Sequence, residues 1–256
     1  MIERVGIIGV GELAGYVVEG LLNAVPGLEI VLSPRNEAVS ADLAQRFGVT
    51  VAAHNQAVAD SADLILVATR PPDVLAACES VEFRADHNVV STAAGVPMAS
   101  LEPAVAPASV VRAMPITCSA INRSPTLLYP DRPRVRALFD LLGNVHVVDD
   151  EAQFTAASTI TAFYGWVYAL LDETVVWTVR EGVPLSTARA LVLETARGAA
   201  EMGLANPERG LSGLLDSLAT PGGVTREGLR ILAEQGSLAA WVDALDAVHH
   251  RMRGDS

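Results

Sequence analysis

The sequence predicts an α/β fold for the first part of the chain and an all-α fold for the rest. Short strands and helices alternate up to about residue 150. The strands are nearly continuous runs of Val, Ile and Leu, and no strand-like alternation follows residue 151. Apolar strands separated by amphipathic helices are typical of a parallel sheet covered on both faces. We therefore expect two domains, residues 1–150 and residues 151–256.

The elements of the first domain follow one another in short steps. Residues 4–8 (RVGII) predict the first strand, and residues 12–24 carry Leu and Val at helical spacing. Residues 29–32 predict a second strand, and residues 37–47 a helix that ends before Gly48. Further strands are predicted at residues 49–52, 63–68, 88–92, 110–111, 126–129 and 145–148.

The second domain consists of segments of helical length. Residues 154–179 are apolar almost all round, and Asn206-Pro207 marks a later helix start. Residues 238–248 place apolar side chains on one helical face. A helix that is apolar on every side needs more cover than a domain of about 100 residues supplies. We therefore expect a homodimer, or a higher oligomer, formed through this domain.

Composition excludes several classes of function. The 256 residues include 30 acidic and 18 basic side chains, for a net charge of −12, and every basic one is arginine. An acidic chain without a basic cluster is a poor partner for nucleic acid or an anionic membrane. The absence of lysine excludes a Schiff base and a phosphate-loop lysine. Half of the residues are hydrophobic, which is typical of a large folded core.

Nothing in the sequence predicts a metal centre, a secretory leader or a membrane span. Cys78 and Cys118 form no spaced ligand set, and Glu3 stands where a leader would be basic. The uncharged run at residues 152–171 is rich in Thr and Ser and is followed by Asp172. We interpret this run as a core or interface helix, although it is long enough to span a bilayer. We expect a cytoplasmic enzyme.

A glycine-rich loop follows the first strand. Residues 9–14 read GVGELA, which places Gly9 at the tight turn, Gly11 where a pyrophosphate approaches, and Ala14 at the helix–strand contact. This spacing, between a strand and a helix at the start of an α/β domain, predicts a Rossmann-type dinucleotide-binding domain.

The end of the second strand predicts which dinucleotide binds. An NAD site usually has a carboxylate about 20 residues after the glycines, on the ribose 2′-hydroxyl. This chain has none there, and instead offers Ser33 and Arg35, which suit a 2′-phosphate. The sequence therefore favours NADPH over NADH, with a solvated turn arginine as the alternative interpretation of Arg35.

Further motifs appear in a fixed order along the chain. They are HN at residues 54–55, ATRP at 68–71, STAAGV at 91–96, RAMP at 112–115 and TPGGVT at 220–225. Together with GVGELA, they resemble the pyrroline-5-carboxylate reductase family over nearly the whole length. The resemblance implies a Rossmann-type domain followed by an all-α dimerisation domain. It also implies cofactor contacts at Gly9, Gly11, Glu12, Leu13, Ser33, Arg35, Asn55, Ala68, Thr69, Arg70, Ala93 and Met114.

The TPGGVT segment is similar to the substrate loop of that family. Thr220 and Pro221 suit a helix N-cap and first helical position, so the following N–H groups would face a carboxylate. An ordinary capping turn is the alternative. The resemblance implies substrate contacts at Thr220, Gly222, Gly223 and Val224. It also implies that the hydroxyl of Thr225 hydrogen-bonds the imine, as the catalytic residue.

The resemblance implies NADPH-dependent reduction of a cyclic imino acid, as in the conversion of 1-pyrroline-5-carboxylate to L-proline in proline biosynthesis. Phe163, Tyr164 and Trp166 depart from the small residues and the tyrosine that the family has there. They would either reshape the pocket or repack the helix. Two alternatives follow: an imine reductase for a different cyclic imine in specialised metabolism, and a catalytically silent NADP-binding sensor.

Overall fold

The computed structural model describes residues 4–254, which form two compact units. One unit extends to Thr159 and includes the chain again from His249, whereas Ile160–Val248 forms the other. The first unit contains an eight-stranded sheet. Its strands are β1 (Arg4–Ile8), β2 (Glu29–Leu32), β3 (Thr50–Val51), β4 (Leu64–Val67), β5 (Asn88–Ser91), β6 (Ser109–Met114), β7 (Thr126–Tyr129) and β8 (Val145–Val147).

The strands lie in the order β3-β2-β1-β4-β5-β6-β7-β8. Strands β1 to β6 are parallel, as predicted, but β7 is antiparallel to β6 and parallel to β8. The sheet is therefore mixed, and the prediction of a parallel sheet is wrong at this edge. A parallel crossover needs a dozen or more residues and usually a helix. The link from β6 to β7 contains only the 3₁₀ turn Thr117–Ile121, so the chain reverses direction.

Helices cover both faces of the sheet. They are α1 (Glu12–Ala24), α2 (Glu37–Phe47), α3 (Asn55–Ser61), α4 (Val74–Glu79), α5 (Met98–Val105), α6 (Pro133–Asp140) and α7 (Glu151–Ser158). One buried cluster joins the sheet to α1, α2 and α6, through side chains such as Leu21, Leu43 and Phe139. A second cluster joins it to α3, α4 and α5, through Val58 and Leu101 among others.

Five more helices follow: α8 (Ile160–Arg180), α9 (Leu185–Ala205), α10 (Gly210–Leu218), α11 (Val224–Glu234) and α12 (Ser237–Arg253). The single helix expected over residues 154–179 is interrupted at Thr159. Its first part, α7, packs in the first unit, where Phe154 is fully buried. The compact units therefore separate at Thr159, and the end of α12 from His249 belongs to the first unit.

Helices α8 to α12 expose most of their apolar side chains. Within the described part of these helices, Ala188 is the one buried residue. Leu170 and Trp177, seven residues apart on α8, are each 55% exposed. Exposed apolar surface on this scale marks an interaction site in a folded protein.

His87 makes the stability of the first unit depend on pH. The side chain is buried, its Nδ1 accepts the N–H of Arg84 at 3.1 Å, and its ring lies edge-on to Phe83. Burial, followed by the positive charge of Arg84, lowers the pKa of His87 from its ordinary value of 6.5. Protonation is therefore less favourable in the folded state than in the unfolded chain. The contribution of neutral His87 to stability is present above pH 6.5 and is lost as the pH falls toward the lower folded pKa.

Replacing His87 with Gln should therefore flatten the acid dependence of the melting temperature below about pH 6.5. The measurement is thermal unfolding at a series of pH values. His146→Gln, at an exposed histidine of β8, serves as the control and should retain the parent slope. Equal slopes for all three proteins would contradict this role of His87.

Candidate functional site

The glycine-rich loop lies where the strand order reverses. From β1 the chain builds outward through β2 and β3, and then returns to β4 on the other side of β1. The loops after β1 and β4 therefore separate at the carboxyl edge of the sheet. A crevice at such a switch point is the usual ligand site of an open α/β sheet. Here a cavity of about 310 Å³ is lined by residues of both loops, including Gly9, Gly11 and Thr69.

Gly9 forms the tight turn that the sequence predicts. Its φ is +86°, and a Cβ atom at this position would lie 2.7 Å from the backbone nitrogen of Thr69. Any larger residue would therefore be strained and would push the two loops apart. The Gly9 N–H donates to Oγ of Ser33 at 2.9 Å, which ties the turn to the end of β2.

That hydrogen bond gives Ser33 a structural role in addition to the predicted one. The Ser33 side chain is fully buried, and its hydroxyl accepts from the loop rather than facing the cavity. The assignment of Ser33 to the 2′-phosphate site stays a prediction. Ser33 positions the glycine loop.

Gly11 is the N-cap of the 13-residue helix α1. A Cβ atom at Gly11 would have no neighbour within 4 Å among the described residues, so the space before the helix N-terminus is open. The first N–H groups of a helix lack internal partners and attract anions. Glu12 is on the first turn, where its carboxylate accepts from the hydroxyl of Tyr16 at 3.1 Å. Leu13 is half-buried on the same turn.

Two guanidinium groups line the cavity, and one carboxylate lies between them. Arg35 follows β2, Arg70 follows β4, and both line the cavity with Asp73. Nη2 of Arg70 lies 3.0 Å from Asp73, and Nη2 of Arg35 lies 3.8 Å from it. Both arginine side chains are largely exposed. They can therefore turn toward an anionic ligand without losing buried contacts.

The cavity fits a dinucleotide phosphate. Oγ1 of Thr69 is buried, and no residue in the described range 4–254 offers it a hydrogen-bond partner. Open helix N–H groups, two arginines and this unpartnered hydroxyl make a donor set suited to phosphate oxygens. The structure brings together Gly9, Gly11, Arg35, Ala68, Thr69 and Arg70, as the sequence predicts.

Other predicted cofactor residues lie outside this cavity lining. Asn55 begins α3, where its side-chain amide donates to Ser80 at 3.2 Å. Ala93 follows β5 and Met114 ends β6, farther along the same edge of the sheet. Both side chains are buried. Sequence reasoning missed Asp73, since a single carboxylate three residues after Arg70 carries no motif.

The second candidate site is the loop before α11. Thr220, Pro221, Gly222 and Gly223 form a tight turn in which the Gly223 N–H donates to the Thr220 carbonyl at 3.0 Å. Gly222 has a φ of +73°. A type II turn requires a positive φ at its third position, and proline is common at its second. A Cβ atom on Gly223 would lie 2.7 Å from Thr220 Oγ1, so a larger residue would crowd this turn.

The structure corrects the predicted start of this helix. Gly223 is the N-cap and Val224 the first helical residue, so Thr220 is not the cap and Pro221 is not the first helical position. Thr225 is on the first turn of the 11-residue helix and is exposed. Val224 is 90% exposed. The backbone N–H groups at this helix start point away from the helix and can face an anion.

The three aromatic residues that depart from the family pattern pack against other aromatic side chains of the helical unit. Phe163 and Trp166 of α8 both stack edge-on against Trp241 of α12, with ring centroids 5.6 and 6.1 Å apart. The hydroxyl of Tyr164 lies 2.9 Å from the hydroxyl of Tyr168, which is one helical turn away. These contacts favour the interpretation that the substitutions repack the helices.

Two family models match the two parts of the chain. Residues 4–95 match the family described as NADP oxidoreductase coenzyme F420-dependent. Residues 151–254 match pyrroline-5-carboxylate reductase dimerisation. The fold, the glycine-loop site and the first match define an NADP-dependent oxidoreductase, so the prediction of an NADP cofactor is confirmed.

Relatives that match nearly the full chain identify its family. Pyrroline-5-carboxylate reductase of Pseudomonas aeruginosa is 30% identical over 261 residues, which covers 97% of this chain and 95% of the relative. The chain therefore belongs to the pyrroline-5-carboxylate reductase family, and it is an oxidoreductase acting on C=N bonds. The resemblance found in the sequence is confirmed.

Solved structures confirm the fold. 1-Pyrroline-5-carboxylate reductase from Streptococcus pyogenes has a TM-score of 0.85 at 24% identity and covers 98% of each chain. Pyrroline carboxylate reductase from Plasmodium falciparum, solved with NADP bound, has a TM-score of 0.88 at 19% identity and covers 99% of each chain. The predicted Rossmann-type domain followed by a helical domain is confirmed.

Proposed function

We propose that the protein reduces a five-membered cyclic imino acid, 1-pyrroline-5-carboxylate or a close analogue, with NADPH. The observation that carries this proposal is the turn before α11, which presents open helix N–H groups beside the Thr225 hydroxyl. A carboxylate and an imine nitrogen on one small ring match such a pair of groups. The names of the relatives agree with this substrate.

The cofactor is held by the cavity at the switch point. The N-terminus of α1 would hold the pyrophosphate, and Arg35 and Arg70 would hold the 2′-phosphate in place of their shared partner Asp73. When bound, NADPH supplies the hydride that reduces the C=N bond. Asn55, Ala93 and Met114 stay proposed contacts with the rest of the cofactor.

The α11 turn binds and orients the substrate. Val224 and Thr225 lie on the first turn of α11, whose N–H groups receive the carboxylate, and Gly222 and Gly223 give the turn its shape. An anion near a helix N-terminus is stabilised by roughly 0.3–2 kcal/mol, depending on burial. This interaction is the same before and after reduction, so it contributes binding and orientation.

Thr225 acts on the imine nitrogen. A threonine hydroxyl is too weak an acid to protonate a free imine, so the nitrogen takes its proton from solvent. The hydroxyl then holds the protonated ring nitrogen by accepting its N–H, which fixes the orientation of the imine carbon. The residue that follows, Arg226, is exposed on the same turn.

A panel of cyclic imines tests the proposal through the rate of NADPH oxidation. Turnover should be highest with 1-pyrroline-5-carboxylate, lower with its six-membered homologue, and lowest with 1-pyrroline, which lacks the carboxylate. Turnover that favours the uncharged or larger imines would overturn the carboxylate assignment in favour of an imine reductase of another specificity. Tight NADPH binding without turnover of any imine would favour the sensor.

We propose a homodimer through helices α8 to α12. By length and composition alone, the stretch Glu151–Arg180 could cross a membrane. However, α7 is part of the first unit, and Asp172 and Glu173 lie within the remaining helix. Carboxylates near the centre of a membrane helix are costly, about 3 kcal/mol each. A second copy of this chain therefore covers the apolar surface of these helices better than lipid would. A cytoplasmic location stays a prediction.

Replacing both Leu170 and Trp177 with Glu should convert the dimer to monomer, because the change places two charges on an apolar face of α8. Size-exclusion chromatography with light scattering should give about twice 26.9 kDa for the parent and the single mass for the variant. Gln45→Glu, at an exposed position of α2 in the first unit, should leave the mass unchanged. A parent that is monomeric, or a double variant that stays dimeric, would contradict this interface.

A further inference from the structure

Arg112 is a charged residue in the interior of the first unit. It belongs to the central strand β6, and its side chain is only 3% exposed. Burial lowers the pKa of Arg112 from its ordinary value, although Glu151 acts in the opposite direction. A buried guanidinium is strongly unfavourable unless its N–H groups find partners. The structure supplies only part of that compensation.

Two groups hold one side of the guanidinium. Nη1 donates to Oε1 of Glu151 at 2.8 Å, and the Phe154 ring lies 4.4 Å from the guanidinium carbon. The same Glu151 oxygen accepts the backbone N–H of Met98 at 2.6 Å. That carboxylate oxygen is thus shared between two donors and does not serve Arg112 alone.

The other edge of the guanidinium has no such partner. Nε of Arg112 is buried and has no hydrogen-bond partner among residues 4–254, and the same holds for Nδ1 of His249. Both residues line one cavity of about 520 Å³. Two unpartnered buried nitrogens on one cavity indicate that something polar occupies it.

Charged residues of both signs line this cavity. They are Arg112, Arg253 and Glu151. The Nε edge of a guanidinium pairs with planar oxyanions through two parallel hydrogen bonds. Glu151 on the same lining would repel a dianion more strongly than a monoanion.

We propose that this cavity, the Arg112 cavity, binds a small monocarboxylate. The carboxylate accepts from Nε of Arg112 and from the ring of His249, with Arg253 near its oxygens. None of the lining residues is among the proposed cofactor or substrate contacts. Gly95 and Pro97 come from the loop that follows β5, so a bound carboxylate would join that loop to α7 and to the last turn of α12.

Titration with trifluoroacetate, followed by fluorine NMR at constant ionic strength, tests the proposal on the full chain. We expect saturable binding that acetate displaces and chloride does not. Arg253→Met should weaken binding about tenfold, the effect of removing one charged hydrogen-bond donor. Arg251→Met, on the same turn but outside the cavity lining, should bind as the parent does.

His249→Phe gives a second test that preserves most of the ring volume. It should also weaken trifluoroacetate binding, because it removes the unpartnered Nδ1. Arg112→Met should abolish binding if that variant folds, but the other two variants decide the outcome without it. Absence of saturable binding, or equal affinity in the parent, Arg253→Met and His249→Phe, would overturn the proposal.

Discussion

Replacing Thr225 with valine should lower kcat/KM for 1-pyrroline-5-carboxylate about 100-fold, at the lower end of what a positioned proton-handling group contributes. Valine keeps the shape of threonine and removes only the hydroxyl that holds the ring nitrogen. The KM for NADPH should not change, because Thr225 is on α11 and the cofactor cavity is lined by the loops after β1, β2 and β4. Steady-state kinetics with each substrate varied in turn gives both values.

Two further variants separate the hydroxyl from the helix. Thr225→Ser keeps the hydroxyl and should retain most of the activity. Thr187→Val changes an exposed threonine on the first turn of α9, a comparable position on another helix, and should have no effect. If Thr225→Val lost no more activity than Thr187→Val, Thr225 would have no part in the reaction.

The elements that the sequence predicted best are those fixed by local patterns. The strand at residues 4–8 and the helices at residues 12–24 and 37–47 have the predicted bounds. Helix α2 ends where Gly48 adopts a φ of +71°, a conformation that favours glycine. Helical spacing and a terminating glycine lie within one segment, so no distant contact is needed to interpret them.

The direction of β7 could not be predicted from a local sequence pattern. Its apolar residues fit a parallel or an antiparallel strand equally well, and the choice depends on how the chain returns from β6. The start of α11 was ambiguous for a similar reason. A Thr-Pro pair suits both a helix cap and a turn, and the positive φ of Gly222 places it in the turn.

The candidate site was predicted at the level of its loops but not of every side chain. Gly9, Gly11 and Arg35 line the cavity because glycine spacing and strand ends determine where those residues lie. The buried orientation of Ser33 depends on its hydrogen bond to Gly9, which is 24 residues away in the sequence. Asp73 matters only because folding brings it to both arginines.

Replacing Arg35 with alanine should raise the KM for NADPH about 10- to 100-fold and leave the KM for NADH nearly unchanged. A guanidinium contact with phosphate is worth about 1.5–3 kcal/mol, and each 1.4 kcal/mol corresponds to about tenfold in affinity. NADH lacks the 2′-phosphate and therefore loses nothing. The comparison of the two cofactors in one variant removes any general effect on folding or catalysis. Arg132→Ala, at an exposed arginine outside the cavity lining, is the matched control.

Asp73→Asn should act in the opposite direction. In the structure Asp73 pairs with Arg70 and approaches Arg35, so its carboxylate competes with the 2′-phosphate for the same guanidinium groups. Asparagine keeps the size of the side chain and removes the negative charge, which should lower the KM for NADPH relative to that for NADH. If Arg35→Ala changed both cofactors equally and Asp73→Asn changed neither, Arg35 would be a solvated arginine, and the preference for NADPH would have to arise from other residues.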